Sequence, residues 1–170
     1  ARMILAAKQE NCLHEILIIA SALSLQDPRD RPFDHQAAAD QAQRRFVDER
    51  SDFMSYLKLW DFFDEQVKHK KSTRKLIAQC RELFLSYRRL REWREIHGQL
   101  QVLISEMGLK PNDIAAGYDE IHRALLAGLL GNIGFKTEKE GEYLGARGIK
   151  FAIFPGSTLK KGKTKWVVAA

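Results

Sequence analysis

Glycine is absent from the chain before Gly98, and all 11 glycines of the 170-residue sequence stand at or beyond that position. Glycine is costly inside helices and useful in turns, so the sequence divides into a helix-compatible first part and a turn-rich C-terminal part. Cysteine is scarce as well. Cys12 and Cys80 form no CxxC pair and are too few for a disulfide framework, so we expect two small core residues in a protein of a reducing, cytoplasmic compartment. No long apolar run is present: the stretch 13–25 is interrupted by His14 and Glu15 and is too short to span a bilayer. No membrane partner is expected. The chain begins at Ala1 without a Met, and we expect a piece excised from something longer.

The signatures of common catalysts are also missing. The stretch from Gly156 to Thr164, GSTLKKGKT, ends like a Walker A loop but has five residues between its glycines where phosphate wrapping needs four. It leads into Lys165 and the strand-like Trp166-Val167-Val168, not into a helix N-terminus, so it reads as a basic turn between strands. His14-Glu15 opens like HExxH, but position 18 is Ile and the second imidazole is missing. His35, His69, His97 and His122 show no ligand spacing, and no GxSxG nucleophile elbow occurs. Asp61, Asp64 and Glu65 read as a charged outer helix face. We expect no catalytic residues, no metal site and no enzyme activity of the chain's own.

What is present is a globular composition, 45% hydrophobic and 29% charged, with a formal charge of +6. The placement of that charge matters more than its total. Residues 132–170 hold eight Lys/Arg against three Glu, which leaves 20 basic against 19 acidic residues in the rest. The excess belongs to the C-terminal segment, and a polyanion is a plausible partner for it.

Leu13, Ile16, Leu17, Ala20 and Leu23 repeat at helical spacing until Asp27-Pro28 and Arg31-Pro32 end the pattern. A second helix starts near Asp34. Ser51 or Asp52 can cap a third, with Phe53, Leu57, Trp60, Asp64 and Val67 on one face and Phe62 and Phe63 widening it. The basic run at 68–71 reads as a solvated break. One long helix is expected over 73–107, with the stripe Leu76, Cys80, Leu83, Tyr87, Leu90, Trp93, Ile96, Leu100, Leu103 and Met107, stopped by Gly108 and Pro111. A shorter helix from Tyr118 to about Leu130 presents Ile121, Leu125 and Leu129. Beyond it, Ile149, Phe151 and Ile153 alternate with Lys150, Ala152 and Phe154 as in a strand, and 142–144 and 166–168 read as two more. So small a sheet reads as incomplete.

On a single helix at about 100° per residue, Arg74, Arg81 and Arg88 fall within about 40° of one another, opposite the apolar stripe, with Arg89, Arg91 and Arg94 on neighbouring faces. Guanidinium forks suit phosphate oxygens. A solvated face with Glu82, Glu92 and Glu95 as partners explains the same residues. The strands mix cations with Tyr143, Phe151, Phe154 and Trp166, as small barrels that stack single-stranded bases do. Rings that fill the sheet's own core would give the same composition.

Several blocks in order, CLHEILIIASALSLQDPRDRP, RRFVDERSDFMSYLKLW, CRELFLSYRRLREWREIHGQL, IHRALLAGLLGNIG, EYLGARGIKFAIFPGSTL and KWVVAA, resemble the C-terminal part of DEAH-box RNA helicases, and among them the bacterial HrpA type. The resemblance covers nearly the whole chain. It implies a mainly α fold, with a helicase-associated ratchet-like helical domain over 1–112 and a linking helix with the start of an oligonucleotide-binding (OB) fold over 113–170. It implies an auxiliary part that guides single-stranded RNA beside motor domains of the same polypeptide, with ATP and Mg handled by those motors and no cofactor held by this chain.

The RNA-binding candidates are Ser51 and Asp52 at a helix start, Arg88, Arg89 and Arg94 on the long helix, and Arg147, Lys150 and Ser157 on the sheet. Two departures bear on the transfer. Ser51-Asp52-Phe53 stands where many relatives have Ser/Gly-Asp-His, and Phe154-Pro155-Gly156-Ser157 where many have His-Pro-Ser-Ser. Ser157 keeps a hydroxyl and a neighbouring amide, enough for a phosphate oxygen. The alternative is a protein-interaction module that docks the motor domains or an accessory factor without binding RNA itself.

Overall fold

The computed structural model describes residues 2–69, 72–161 and 163–170. Lys70 and Lys71 of the basic run, and Gly162 of the Walker-like stretch, lie outside them. The described residues form seven α-helices followed by a four-stranded antiparallel sheet: α1 Arg2–Gln9, α2 Leu13–Leu23, α3 Gln36–Gln43, α4 Asp52–Lys68, α5 Thr73–Glu82, α6 Tyr87–Glu106, α7 Tyr118–Gly128, β1 Ile133–Lys136, β2 Glu142–Leu144, β3 Lys150–Ala152 and β4 Trp166–Val168. No helix among the described residues is long and apolar enough to cross a membrane. The chain divides into two compact units, one of residues 1–16, 48–52 and 110–170, the other of 17–47 and 53–109.

In the second unit, α4 buries Ser55, Leu59, Trp60 and Phe63. Of the expected face, Trp60 and Phe63 are in the core and Leu57, Phe62 and Val67 pack against it, whereas Phe53 and Asp64 are only half-buried and Ser55 and Leu59 take the buried places. Leu59, Trp60 and Phe63 pack with Ile18 and Ala22 of α2, Phe46, Cys80 of α5, Leu85, and Leu90 and Trp93 of α6. Trp93 is the centre of this core. Its indole N–H donates to the Ile18 carbonyl at 3.1 Å and to Ser21 Oγ at 2.9 Å, while its ring meets Trp60 edge-on at 5.1 Å. Burying such a side chain contributes about 1.5–3 kcal/mol or more, and the satisfied N–H removes the penalty of hiding a polar atom.

The long helix expected over 73–107 is broken between α5 and α6. Phe84 takes a left-handed φ of 53°, Leu85 forms an isolated antiparallel bridge with Arg29, and the Ser86 and Asp30 amides donate to the Pro28 and Phe84 carbonyls at 2.8 Å. Gln43 Nε2 donates to the carbonyls of Asp30 and Phe84, both at 3.0 Å. These bonds satisfy backbone groups that a continuous helix would have satisfied internally. Ser86 then caps α6, its Oγ accepting the Arg89 amide at 3.4 Å. After the break the buried stripe runs through Leu90, Trp93, His97 and Ile104, leaving Leu103 and Met107 exposed.

In the first unit, α1, which periodicity does not announce, packs on α7 so closely that a Cβ at Gly128 would come within 2.8 Å of Met3. Glu15, suspect as half of HExxH, is buried and braces the fold, its carboxylate accepting Asn112 Nδ2 at 2.9 Å and the Ala116 amide at 2.8 Å. Cys12 and Cys80 are buried and free, as expected of core residues, and burial pushes their thiols up to about 12 and about 11.

The sheet order is β3-β2-β1-β4. Strand β1 is hidden in the sequence because Gly134 reads as a breaker. In the fold Gly134 lies under the Phe151 ring, where a Cβ would stand 2.4 Å from Phe151 Cζ.

Candidate nucleic-acid interface

The sequence-derived candidates divide by what holds them. Arg89 Nη1 donates to Asp30 Oδ1 at 2.8 Å and to the Asp27 carbonyl at 3.1 Å. Arg94 donates to Asp64 and lies over the Trp60 ring, 5.7 Å from its centroid. Asp64 also takes Lys68 Nζ at 2.6 Å. Burial raises the Asp64 pKa, but the Lys68 and Arg94 hydrogen bonds outweigh it and the carboxyl rests below its usual value. Both arginines are therefore parts of the helical unit's own bracing. Arg88 is exposed, with no ion pair to a described residue. Because the helix is broken, it does not continue a row with Arg74 and Arg81, which sit on α5.

The start of α4 carries Ser51 and Asp52. Ser51 is buried, its amide donating to Asp48 Oδ1 at 3.1 Å and its Oγ standing 2.6 Å from His122 Nε2. His122 Nδ1 lies 2.7 Å from the Tyr118 carbonyl, an acceptor, which assigns the proton to Nδ1 and the lone pair to Nε2, facing the Ser51 hydroxyl. The His122 and Tyr118 rings stack at 3.7 Å, and the Arg50 guanidinium covers Tyr118 at 3.9 Å. Burial holds the imidazole below its ordinary pKa, against the pull of the Tyr118 carbonyl. Position 53 offers Ser51 no imidazole; α7 supplies one instead.

Asp52 reaches the loop after β3. Its Oδ2 accepts the Ser157 hydroxyl, its Oδ1 accepts the Thr158 amide at 3.0 Å, and Ser157 Oγ in turn accepts the Leu159 amide at 3.1 Å. The hydroxyl and amide expected to meet a phosphate thus hold a carboxylate. The loop is an anion site with its anion built in.

Elsewhere on the sheet, Lys150 Nζ stands 3.3 Å from Glu142 Oε1. Thr137, donating to that carboxylate, together with Lys150 holds Glu142 below its usual pKa. Arg147 is exposed in the turn before β3 at a left-handed φ of 58°. Lys160, Lys161, Lys163 and Lys165 are exposed and make no ion pair with a described residue. No metal-binding group of His, Cys, Asp and Glu occurs among the described residues.

Residues 1–56 match the helicase-associated domain (HA2), ratchet-like. Over its full length the chain is 48% identical to the ATP-dependent RNA helicase HrpA homolog of Haemophilus influenzae and 48% identical to the ATP-dependent RNA helicase HrpA of Escherichia coli. The chain corresponds to a region of HrpA helicases. It spans 13% of the length of each of these two HrpA relatives.

Proposed function

We propose that this chain is an auxiliary region of an ATP-dependent RNA helicase, guiding single-stranded RNA beside motor domains that bind ATP. In this reading residues 1–112 act as the ratchet-like part, and 113–170 as the linking helix and the opening of an OB fold. The observation that carries it is the separation of two kinds of cation. Arg89 and Arg94 are spent on internal acids, whereas Arg147, Lys160, Lys161, Lys163 and Lys165 are exposed without an ion pair among the described residues. Exposed cations without an internal partner release counterions when they meet phosphates, which drives binding with little sequence preference. The guide is accordingly centred on the sheet loops, with Arg88 the one α6 candidate still facing solvent.

The test is the affinity of the 170-residue chain for oligo(U) as a function of salt. A log–log slope of several phosphates supports the reading, at roughly −0.7 per phosphate for a single strand. No binding at low salt would transfer the region to the docking class, in which the same surface seats motor domains or an accessory protein.

A further inference from the structure

The outer face of the sheet carries a row of side chains that the fold itself does not use. Strand register sets Trp166 opposite Phe135, Phe135 opposite Leu144, and Leu144 opposite Lys150, so each strand contributes one side chain to the same face. Trp166 is 65% exposed, Phe135 45% and Leu144 42%. The opposite face is where the sheet closes its core: Tyr143 and Val167 are buried, and Phe151 stacks against Tyr143 and over Gly134. The aromatics of this segment are therefore of two sorts, and the outer pair, with ring centroids 4.7 Å apart, packs on itself and keeps a face open to solvent.

We propose that Trp166 and Phe135 form a base-stacking platform for single-stranded RNA, which the chain grips by its bases here and by its phosphates at the neighbouring lysines. This rests on the guiding role proposed above and adds a second kind of contact to it. Three neighbouring strands at about 4.8 Å spacing make the apolar row about 10 Å wide. That is room for a base to lie flat on the exposed rings, with the strand continuing toward the cations beside them. The surroundings favour a nucleic acid over a protein segment. Lys150, on the same face and paired with Glu142, ends the row, and Arg147 stands in the turn before β3, both exposed. Lysine is depleted in protein–protein interfaces, whereas a base lying on a ring brings a phosphate to the cations beside it.

Tryptophan fluorescence gives a direct readout, because Trp60 and Trp93 are 7% and 1% exposed and Trp166 alone is open. Oligo(U) added to the 170-residue chain at low salt should quench the exposed component, and Trp166→Phe should abolish the quench while keeping most of the affinity. Trp166→Ala and Phe135→Ala should each weaken oligo(U) about tenfold without changing the salt slope. Neither should change binding of inorganic polyphosphate, which has no bases. Salt-dependent RNA binding with no quench, or with unchanged affinity in both alanine variants, overturns the platform and leaves the guide intact. That result would assign the face to a protein segment. Absence of any RNA binding at low salt would overturn both.

Discussion

The Asp52 carboxylate and the Ser157 hydroxyl, 105 residues apart in sequence, are hydrogen-bonded, and the same carboxylate takes the Thr158 amide at 3.0 Å. A loop that offers a hydroxyl and an amide to an anion is in this way closed by an internal one. Removing the charge should open it. Asp52→Asn should speed amide exchange at Thr158 about tenfold, consistent with the roughly 1.5–3 kcal/mol of a hydrogen bond to a charged group. It should also raise affinity for oligo(U), since a repelling charge is lost and the amide is released. Hydrogen exchange by mass spectrometry and an RNA titration check the two halves separately; a drop in affinity would instead make Asp52 a direct RNA contact.

The two kinds of cation should separate in a paired measurement of stability and binding. Arg89→Ala and Arg94→Ala remove partners of Asp30 and Asp64 and should lower stability by about 1 kcal/mol each, the upper end for part-exposed pairs, with little change in RNA affinity. The triple change of Lys160, Lys161 and Lys163 to Ala should leave the melting temperature in place and reduce the salt slope by roughly 2. Equal loss of affinity in both sets would put α6 back on the RNA path.

These assignments also mark where sequence reading reaches its limit. The apolar repeat of α2, the start of α4 at Asp52 and the end of α6 before Gly108 are legible, because each is written in neighbours a few residues apart. The break at Phe84 is not. No glycine or proline announces it, and the groups that hold it, Pro28, Asp30 and Gln43, lie 40 or more residues away. The same applies to the cations. Arg91 pairs with Glu95 one turn along, as local spacing suggests, but Arg89 and Arg94 choose Asp30 and Asp64 on other segments. The cationic surplus of the C-terminal segment is visible by counting alone, whereas the choice of which rings face outward needs the strand register.

The Ser51–His122 contact should make stability depend on pH near neutrality. The folded state holds His122 neutral, with a pKa below its ordinary value of 6.5, so between the two values the unfolded chain binds more protons. Stability is then fully present above about pH 6.5 and falls as pH drops toward the folded pKa. Protonation would also turn Nε2 into a donor facing the Ser51 hydroxyl and place a cation near Arg50, which disfavours the charged ring, while Asp48 and Asp119 favour it without offsetting the effect of burial. Urea melts at pH 7.5 and pH 5.5 should show the loss, and His122→Gln should flatten it. A variant that keeps the wild-type pH dependence would assign it to another group.

Arg147 combines a strained backbone with an exposed charge, so the two contributions can be separated at one position. A non-glycine residue at φ 58° costs roughly 1–2 kcal/mol relative to ordinary helical conformation, and Asn tolerates that region better than Arg does. Arg147→Asn should therefore hold or slightly raise the melting temperature. The side chain is exposed and makes no ion pair with a described residue, so losing the guanidinium should cost the fold little. Its removal should nonetheless weaken oligo(U) binding and lower the salt slope by about 0.7, the share of one phosphate. Arg147→Lys should restore the slope without restoring the melting temperature of the Asn variant, since lysine carries the charge and the same backbone cost. If Lys and Asn bind RNA equally, the charge in this turn does not face the strand, and the phosphate path runs along the remaining exposed cations.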